Sequence, residues 1–395
     1  MKKILVINSG SSSIKFKLIK MPGELVVASG LVEAIGLENA ALHYKSKKMN
    51  FSETMPIESH EVGLKKIAAM LLDEEKGAIK SIEDIDAIGH RVVHGGKDFA
   101  ETIVIDDKVK STIKRLFSLA PLHNPHNYTG IQVAEEVFPN TVQIAAFDTA
   151  FHQTLPEKAH RYAIPKELLN ENKIRVYGFH GTSHKYVSEK AKDFISKKKS
   201  KLITVHLGNG CSITAVKNGK SIDHSMGFAP VNGLIMGTRS GDIDQSIIFY
   251  MVNTLGYDLD EVNNILHKKS GMLGLTGYSD LRVIEEKAEA GDSECQMALE
   301  MNAYRIKKYI GAYAAALNGV DAIVFTAGIG ENSSVLRKLI CDDMSYLGIE
   351  LEDYKNNVRS SENRIISKET SKVLVLVIPT QEELEIAKDC YGLIS

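Results

Sequence analysis

Two apolar, strand-like runs, Ile4-Leu5-Val6-Ile7 and Ile14-Lys15-Phe16-Lys17-Leu18, are separated by Asn8-Ser9-Gly10-Ser11-Ser12-Ser13. The pattern predicts a tight hairpin whose backbone N–H groups and hydroxyls converge on one concavity, with Lys15 just beyond it. Such a turn can cradle phosphate, although an ordinary solvated turn uses the same residues. The design recurs at Leu202-Ile203-Thr204-Val205-His206-Leu207, which runs into Gly208-Asn209-Gly210-Cys211-Ser212 and leaves through Ile213-Thr214-Ala215-Val216 toward a turn at Asn218-Gly219. A third small-residue turn, Ala327-Gly328-Ile329-Gly330-Glu331-Asn332, follows the apolar run Ala322-Ile323-Val324-Phe325-Thr326 and leads into a helical pattern over 333–347. A strand that ends in a glycine turn at a helix N-terminus favours anions, because unsatisfied N–H groups and the helix dipole point the same way. Together the three turns imply a nucleotide held by two related lobes.

Elsewhere the hydrophobic spacing predicts helices over 61–72, 108–119, 129–137, 183–195, 245–255 and, longest, 293–317. Short buried strands are predicted over 85–88, 141–147, 202–207, 322–326 and 372–378. Interleaved strands and helices make this an α/β chain with several crossovers. A hinge is expected within 147–156, dividing an N-terminal lobe, 1–148, from a nucleotide-binding lobe, 149–380. A final helix, within 381–395, is expected to join the first lobe.

Composition narrows the class. The 395 residues suit two domains, and 44% hydrophobic with 25% charged is usual for a globular protein. A net charge of -2 argues against a nucleic-acid partner. Cys211, Cys295, Cys341 and Cys390 are too far apart for a local zinc knuckle and suggest reduced thiols in a cytoplasm. Lys2-Lys3 with only four apolar residues before Asn8 does not make a signal peptide, and no apolar run nears the ~18 residues that span a membrane. Lys197-Lys198-Lys199 reads as a solvated connector.

Candidate chemistry sits in short motifs. Gly89-His90-Arg91-Val92-Val93-His94-Gly95-Gly96 lifts Arg91 out where a strand ends, and Gly237-Thr238-Arg239-Ser240-Gly241-Asp242 does the same for Arg239. Two such planar forks suit anionic oxygens. Phe147-Asp148-Thr149-Ala150-Phe151-His152 puts a carboxylate at a strand end, and Gly178-Phe179-His180-Gly181 puts an imidazole before a helix. His123 and His126 have metal-compatible spacing, but their segment is broken by proline and lacks a third obvious ligand. No P-loop, full dinucleotide fingerprint, protein-kinase motif set or serine nucleophile elbow is present, so any nucleotide site rests on the hairpins.

The duplicated hairpins resemble those of the sugar kinase, actin and heat-shock ATPase superfamily. More narrowly, the first hairpin, the Arg91 segment, Phe147-Asp148-Thr149-Ala150-Phe151-His152, His206-Leu207-Gly208-Asn209-Gly210, Met236-Gly237-Thr238-Arg239-Ser240-Gly241-Asp242 and Gly328-Ile329-Gly330-Glu331-Asn332 are similar in order and spacing to the acetate kinase family. That resemblance implies two lobes of ribonuclease H-like topology with a nucleotide cleft between them, closing over ATP. It implies reversible transfer of the γ-phosphoryl group of ATP to acetate, with Mg2+ or Mn2+, in a homodimer. By similarity, Asn8 and Glu382 would organise the metal. Ser11, Ser13, Lys15, His206, Leu207, Gly208, Asn209, Gly210, Asp280, Leu281, Arg282, Gly328, Ile329, Gly330, Glu331 and Asn332 would hold the nucleotide. Arg91 would bind the acceptor carboxylate, while Val93, Leu122, Phe179 and Pro230 surround its methyl group. Arg239 and His180 would stabilise the phosphoryl in flight, and Asp148 would orient or deprotonate the acceptor.

A carboxylic acid with a pKa near ~4.3 is already ionised at neutral pH, which favours positioning over proton abstraction. Direct in-line transfer is the simplest route, with a phosphoenzyme as the alternative. Propionate kinase is the neighbouring reading, since one methylene is worth only ~1 to 3 kcal/mol of discrimination. A sugar or polyol kinase and a non-catalytic nucleotide switch are the more distant ones.

Overall fold

Strands β1 (Lys2–Ser9) and β2 (Ile14–Met21) pair antiparallel with Ser9 opposite Ile14, so residues 10–13 alone turn the chain. The structure is a computed structural model and describes residues 1–197 and 199–395; Lys198, in the middle of the basic connector, lies outside the described residues. Its neighbour Lys197 reaches the carboxylate of Asp321 at 2.6 Å.

Residues Met1–Phe151 with Gln381–Ser395 make one compact unit. Its sheet adds β3 (Leu25–Glu33), β4 (Ala41–Ser46), β5 (Asn50–Thr54), β6 (Ala87–Val92), β7 (Ile103–Val104) and β8 (Val142–Phe147) in the order β5-β4-β3-β2-β1-β6-β8-β7. β6 and β8 run parallel to β1 and are almost wholly buried, as strands covered on both faces must be. Leu5, Ile7, Ile14 and Phe16 pack with Leu64, Ile67 and Leu71 of helix His60–Leu72 and with Val133 and Ala134 of helix Asn124–Val137. Gly89 on β6 faces the C-terminal helix, Glu382–Ile394: a Cβ there would lie 2.7 Å from Ile386 and 2.8 Å from Cys390. A bare glycine lets that helix seat directly on the sheet.

The second unit, His152–Thr380, repeats the plan. β9 (Lys201–Leu207), β10 (Cys211–Lys217), β11 (Lys220–His224), β12 (Ala322–Thr326), β13 (Arg364–Ile365) and β14 (Leu374–Val377) have the order β11-β10-β9-β12-β14-β13. β9 pairs antiparallel with β10 and parallel with β12, as β1 does with β2 and β6. Each unit therefore carries an antiparallel run, ending in β3-β2-β1 or β11-β10-β9, continued by two parallel strands, the ribonuclease H-like order. Asn218 and Gly219 both have positive φ, the turn that best matches strand twist. Helix Ser293–Leu317 packs along β9 and β10.

Several elements differ from the pattern reading. The first unit's meander β3 to β5 was not foreseen because its edge strand Asn-Phe-Ser-Glu-Thr is mostly exposed and lacks an apolar stripe. The strand expected over 85–88 begins at Ala87, since the Asp86 carboxylate takes the N–H of Lys3 at 2.8 Å and a 3-10 turn occupies Ile82–Asp84. The third glycine segment is not an open turn but a short helix, Ala327–Asn332, entered through Ala327 at φ 64. The helix expected over 333–347 stops at Cys341, where Asp343 takes a left-handed conformation, and resumes only as the 3-10 turn Ser345–Leu347.

Candidate active site

Arg91 is the penultimate residue of β6 and Asp148 the first after β8, so two adjacent parallel strands present them at the same sheet edge. Arg91 donates to Asp148 through Nε at 2.8 Å and Nη2 at 2.5 Å, and its Nη1 lies 3.5 Å from Asn8 Oδ1 at the end of β1. Burial works against the Arg91 charge, but Asp148, Glu382 and Glu383 outweigh it and raise its pKa. Glu382 moves up from its ordinary value, first through burial and then through Asp148 and Glu383. Burial would also raise Glu383, yet Lys15 at 2.5 Å and Lys17 at 3.0 Å hold it down to about 2. Lys15, expected near phosphate, is thus engaged by a carboxylate.

The first turn is held from below. Gly10 N–H donates to the Ser13 carbonyl at 2.8 Å, and the carbonyls of Ser9, Gly10 and Ser12 accept from Asn127, His60 and Ile35. Asn127 also takes the N–H of Val93 at 3.1 Å, and Asn124 both donates to and accepts from the backbone of His94. Gly130 of the same helix meets Ser9 so closely that a Cβ would lie 2.8 Å away. Ser11 is exposed and Ser13 half-buried. Val93 is buried beside Arg91, whereas Leu122 is 49% exposed.

In the second unit, Gly237 packs on the second turn so tightly that a Cβ would lie 2.0 Å from Asn209 Oδ1, and its N–H donates to the Asn209 carbonyl at 3.0 Å. Arg239, two residues on, donates to the Pro230 carbonyl at 2.9 Å; burial lowers its pKa. Tyr309 donates to Asp242 at 2.6 Å and Arg305 to the carbonyls of Gly233 and Asp242, closing the loop behind Arg239. His180 adopts a left-handed conformation, φ 56, at the start of helix Gly181–Ala191, and its ring stacks on His206 at 4.3 Å. Non-glycine residues adopt that conformation uncommonly. Phe179 is buried.

Beside that turn opens a cavity of about 820 Å³ lined by Gly208, Asn209, Asp280, Leu281, Arg282, Gly328, Ile329 and Asn332 among others. Its size suits a small-molecule ligand. Asp280 starts helix Leu281–Glu289 and holds Arg282 at 2.6 Å. Gly330 and Glu331 do not line it: the Gly330 carbonyl accepts from buried Arg337, and Glu331 accepts from Thr380 N–H at 3.1 Å. His206, Leu207 and Gly210 also lie outside its lining.

Residues 3–388 match the model of the acetokinase family. The chain belongs to the acetokinase family. It is 63% identical over 392 residues to an acetate kinase of Flavobacterium johnsoniae, with 99% of each chain covered. Among solved structures it resembles Porphyromonas gingivalis acetate kinase at a TM-score of 0.94 and 43% identity, covering 100% of both chains. A propionate kinase from Francisella tularensis matches at 0.93 and 43%, covering 98% of this chain and 99% of that one.

This acetokinase-family chain also uses residues that its motifs did not flag. Glu383, Asn124 and Asn127 in the first unit and Ser279, Glu285, Ser333 and Arg359 in the second hold or line the sites. Pro125 at the start of the Asn124 helix was the available signal, since proline is favoured in a first turn. Ser333 caps the next helix by accepting from Leu336 N–H and donates to Glu285. Nothing in the spacing of Arg359 announces its place.

Proposed function

We infer that this protein has acetate kinase activity, a reversible transfer of the γ-phosphoryl group of ATP to a carboxylate oxygen of acetate. The full-length identity of 63% to an acetate kinase carries the reading, and the Arg91 fork gives it chemistry. A guanidinium at a strand end, kept charged by three carboxylates, suits a small carboxylate acceptor. We propose that Arg91 binds that carboxylate, with Val93 beside it for the methyl group. Because both Asp148 oxygens are committed to Arg91, Asp148 orients the arginine, and an acceptor that is already ionised needs no base.

We assign the nucleotide to the cavity beside the second turn, and the transferred phosphoryl to Arg239 and His180. Donors preorganised around developing charge supply most of the catalysis in phosphoryl transfer, and in-line attack follows as the simplest course. The first unit's oxygen set fits a magnesium ion: Asn8 Oδ1 stands beside Arg91, and the Glu382 carboxyl is disfavoured as an anion by burial and neighbouring carboxylates, a cost that a cation offsets. Among the described residues no cluster of three or more acidic, histidine or cysteine ligands forms a cage, and Mg2+ commonly binds one or two carboxylates with water and substrate phosphates. When bound, the ion would neutralise phosphate charge, with Asn8 and Glu382 as its protein partners.

We further propose a homodimer. Helix Ser246–Asn253, sequence Ser-Ile-Ile-Phe-Tyr-Met-Val-Asn, buries none of its residues, and Ile247, Phe249 and Tyr250 are 44%, 64% and 57% exposed. Such an apolar helix asks for a covering surface, and a second copy is the occupant we choose. Four free, buried thiols support a reducing cytoplasm. No helix among the described residues is long and apolar enough to cross a membrane.

The test is acyl phosphate formation from MgATP and acetate, trapped with hydroxylamine, with propionate, butyrate and glycerol in parallel. Signal that is strongest with acetate and falls with chain length is expected. ADP release with glycerol, and no hydroxamate with any acid, would overturn the function.

A further inference from the structure

Ser212, the second residue of β10, is fully buried, and its hydroxyl stands between two imidazoles. It lies 2.9 Å from Nδ1 of His180 and 2.7 Å from Nε2 of His184. The other nitrogen of His184, Nδ1, lies 2.7 Å from the hydroxyl of Thr204 on β9. Thr204, His184, Ser212 and His180 thus form a line of alternating hydroxyls and imidazoles within one unit.

Burial, reinforced by the His152 and His206 rings, lowers the His184 pKa well below its ordinary value, so its ring is neutral, with one N–H and one lone pair. Each hydroxyl has a single proton to give. Two arrangements satisfy the line. In the first, Thr204 donates to His184 Nδ1, His184 Nε2–H donates to Ser212, and Ser212 donates to His180 Nδ1. In the second every donor and acceptor is reversed. Backbone groups fix other rings of the cluster: Phe179 N–H donates to His224 Nε2 at 3.0 Å, and His152 Nε2 meets the Phe179 carbonyl at 2.9 Å. For His180 the hydroxyl line supplies the contact at Nδ1.

The choice matters above Gly210. A Cβ on Gly210 would lie 3.4 Å from Nε2 and Cε1 of His180 and 3.7 Å from Nη1 of Arg239, so both side chains converge over the second turn. In the reversed arrangement a neutral His180 would present a lone pair there, which repels phosphate oxygens. We propose that Ser212, oriented by His184, donates to His180 Nδ1 and holds the ring proton on Nε2, making His180 a hydrogen-bond donor to the transferred phosphoryl group. Ser212 and His184 are positioning residues for the reaction, and the inference rests on the kinase reading for where the phosphoryl lies. It also fits the left-handed backbone of His180, which places the ring against both Ser212 and His206.

The test uses the full-length protein labelled with 15N-histidine, with the His180 signals identified by their loss in His180→Gln. At about pH 8, above the ordinary histidine range, a pyridine-like Nδ1 and a protonated Nε2 are expected at His180. Ser212→Ala should mix the tautomers and lower kcat about 10- to 100-fold, with KM for ATP and acetate within about twofold. Ser212→Thr, which keeps the hydroxyl, should restore most of kcat. A protonated Nδ1 in the unaltered protein, or an unchanged tautomer in Ser212→Ala, would overturn the proposal, and the first of these needs no variant to fold. Full acyl phosphate formation by His180→Gln would overturn the phosphoryl placement instead and leave the tautomer readout standing, so the two failures are distinguishable.

Discussion

Arg91 and Arg239 look alike in sequence, each in a glycine-bounded loop, but the fold gives them different partners. Arg91 is forked onto Asp148, while Arg239 meets a backbone carbonyl and the histidine side of the second turn. Arg91→Ala should lower kcat/KM for acetate by about 100-fold or more with the KM for ATP little changed, and Arg239→Ala should mainly lower kcat. Steady-state kinetics checks both; equal loss of ATP affinity in the two variants would show the roles to be misassigned. Glu383 carries a pH prediction. Its folded pKa, about 2, lies below its ordinary 4.5, so the folded state resists protonation. That stability is fully present above pH 4.5 and is lost as pH falls toward 2. Urea midpoints should therefore drop on acidification over that range, and less steeply in Glu383→Gln, where no carboxylate is left to titrate. Neither the Lys15 pairing nor Glu383 itself was legible in the motifs, because a charge partner 368 positions away is brought near only by the fold.

At the scale of elements, the buried strands and long helices were the legible part. Helix Ser293–Leu317 and strand β12 coincide with their periodic patterns, for a long stripe or a short all-apolar run leaves little choice. The interruptions were not legible: Asp343 breaks a helix whose apolar spacing continues past it, and the meander β3 to β5 sends only scattered side chains, Ala28, Val32, Leu42 and Tyr44, into the core. Gly89 illustrates contact that pattern cannot show. Gly89→Ala would drive a methyl group to within 2.8 Å of Ile386 and Cys390, and the C-terminal helix must shift to admit it. A loss of about 1 to 3 kcal/mol in urea unfolding is expected. Unchanged stability would mean that the helix yields without resistance.

At the scale of the whole molecule, two units of like topology each carry part of the proposed site: an arginine–carboxylate set at the edge of the first sheet, and a glycine turn, histidine cluster and cavity in the second. The apolar helix Ser246–Asn253 belongs to this scale too, because the surface proposed to cover it is a second copy of the chain. Phe249→Asp places a charge on a residue that is 64% exposed, so the protomer itself should fold unchanged. Sedimentation velocity should then show a dimer for the unaltered protein and a monomer for the variant. A monomer in both would remove the dimer from the proposal.

By itself the sequence determined the α/β class, the duplicated hairpins and the family, because these are written in local periodicity, turn chemistry and the order of short motifs. Residues that must stand at strand ends, such as Arg91 and Asp148, were legible for the same reason. Tertiary structure decided who partners whom. It put Asp148 on Arg91, Glu383 on Lys15 and Lys17, and Ser212 between two histidines, and it turned Glu331 away from the cavity and left Leu122 exposed. The physical reason is range: propensity and hydrophobic spacing act over a few residues, whereas charge pairing, tautomer choice and burial depend on groups that only the folded chain brings within a few ångströms.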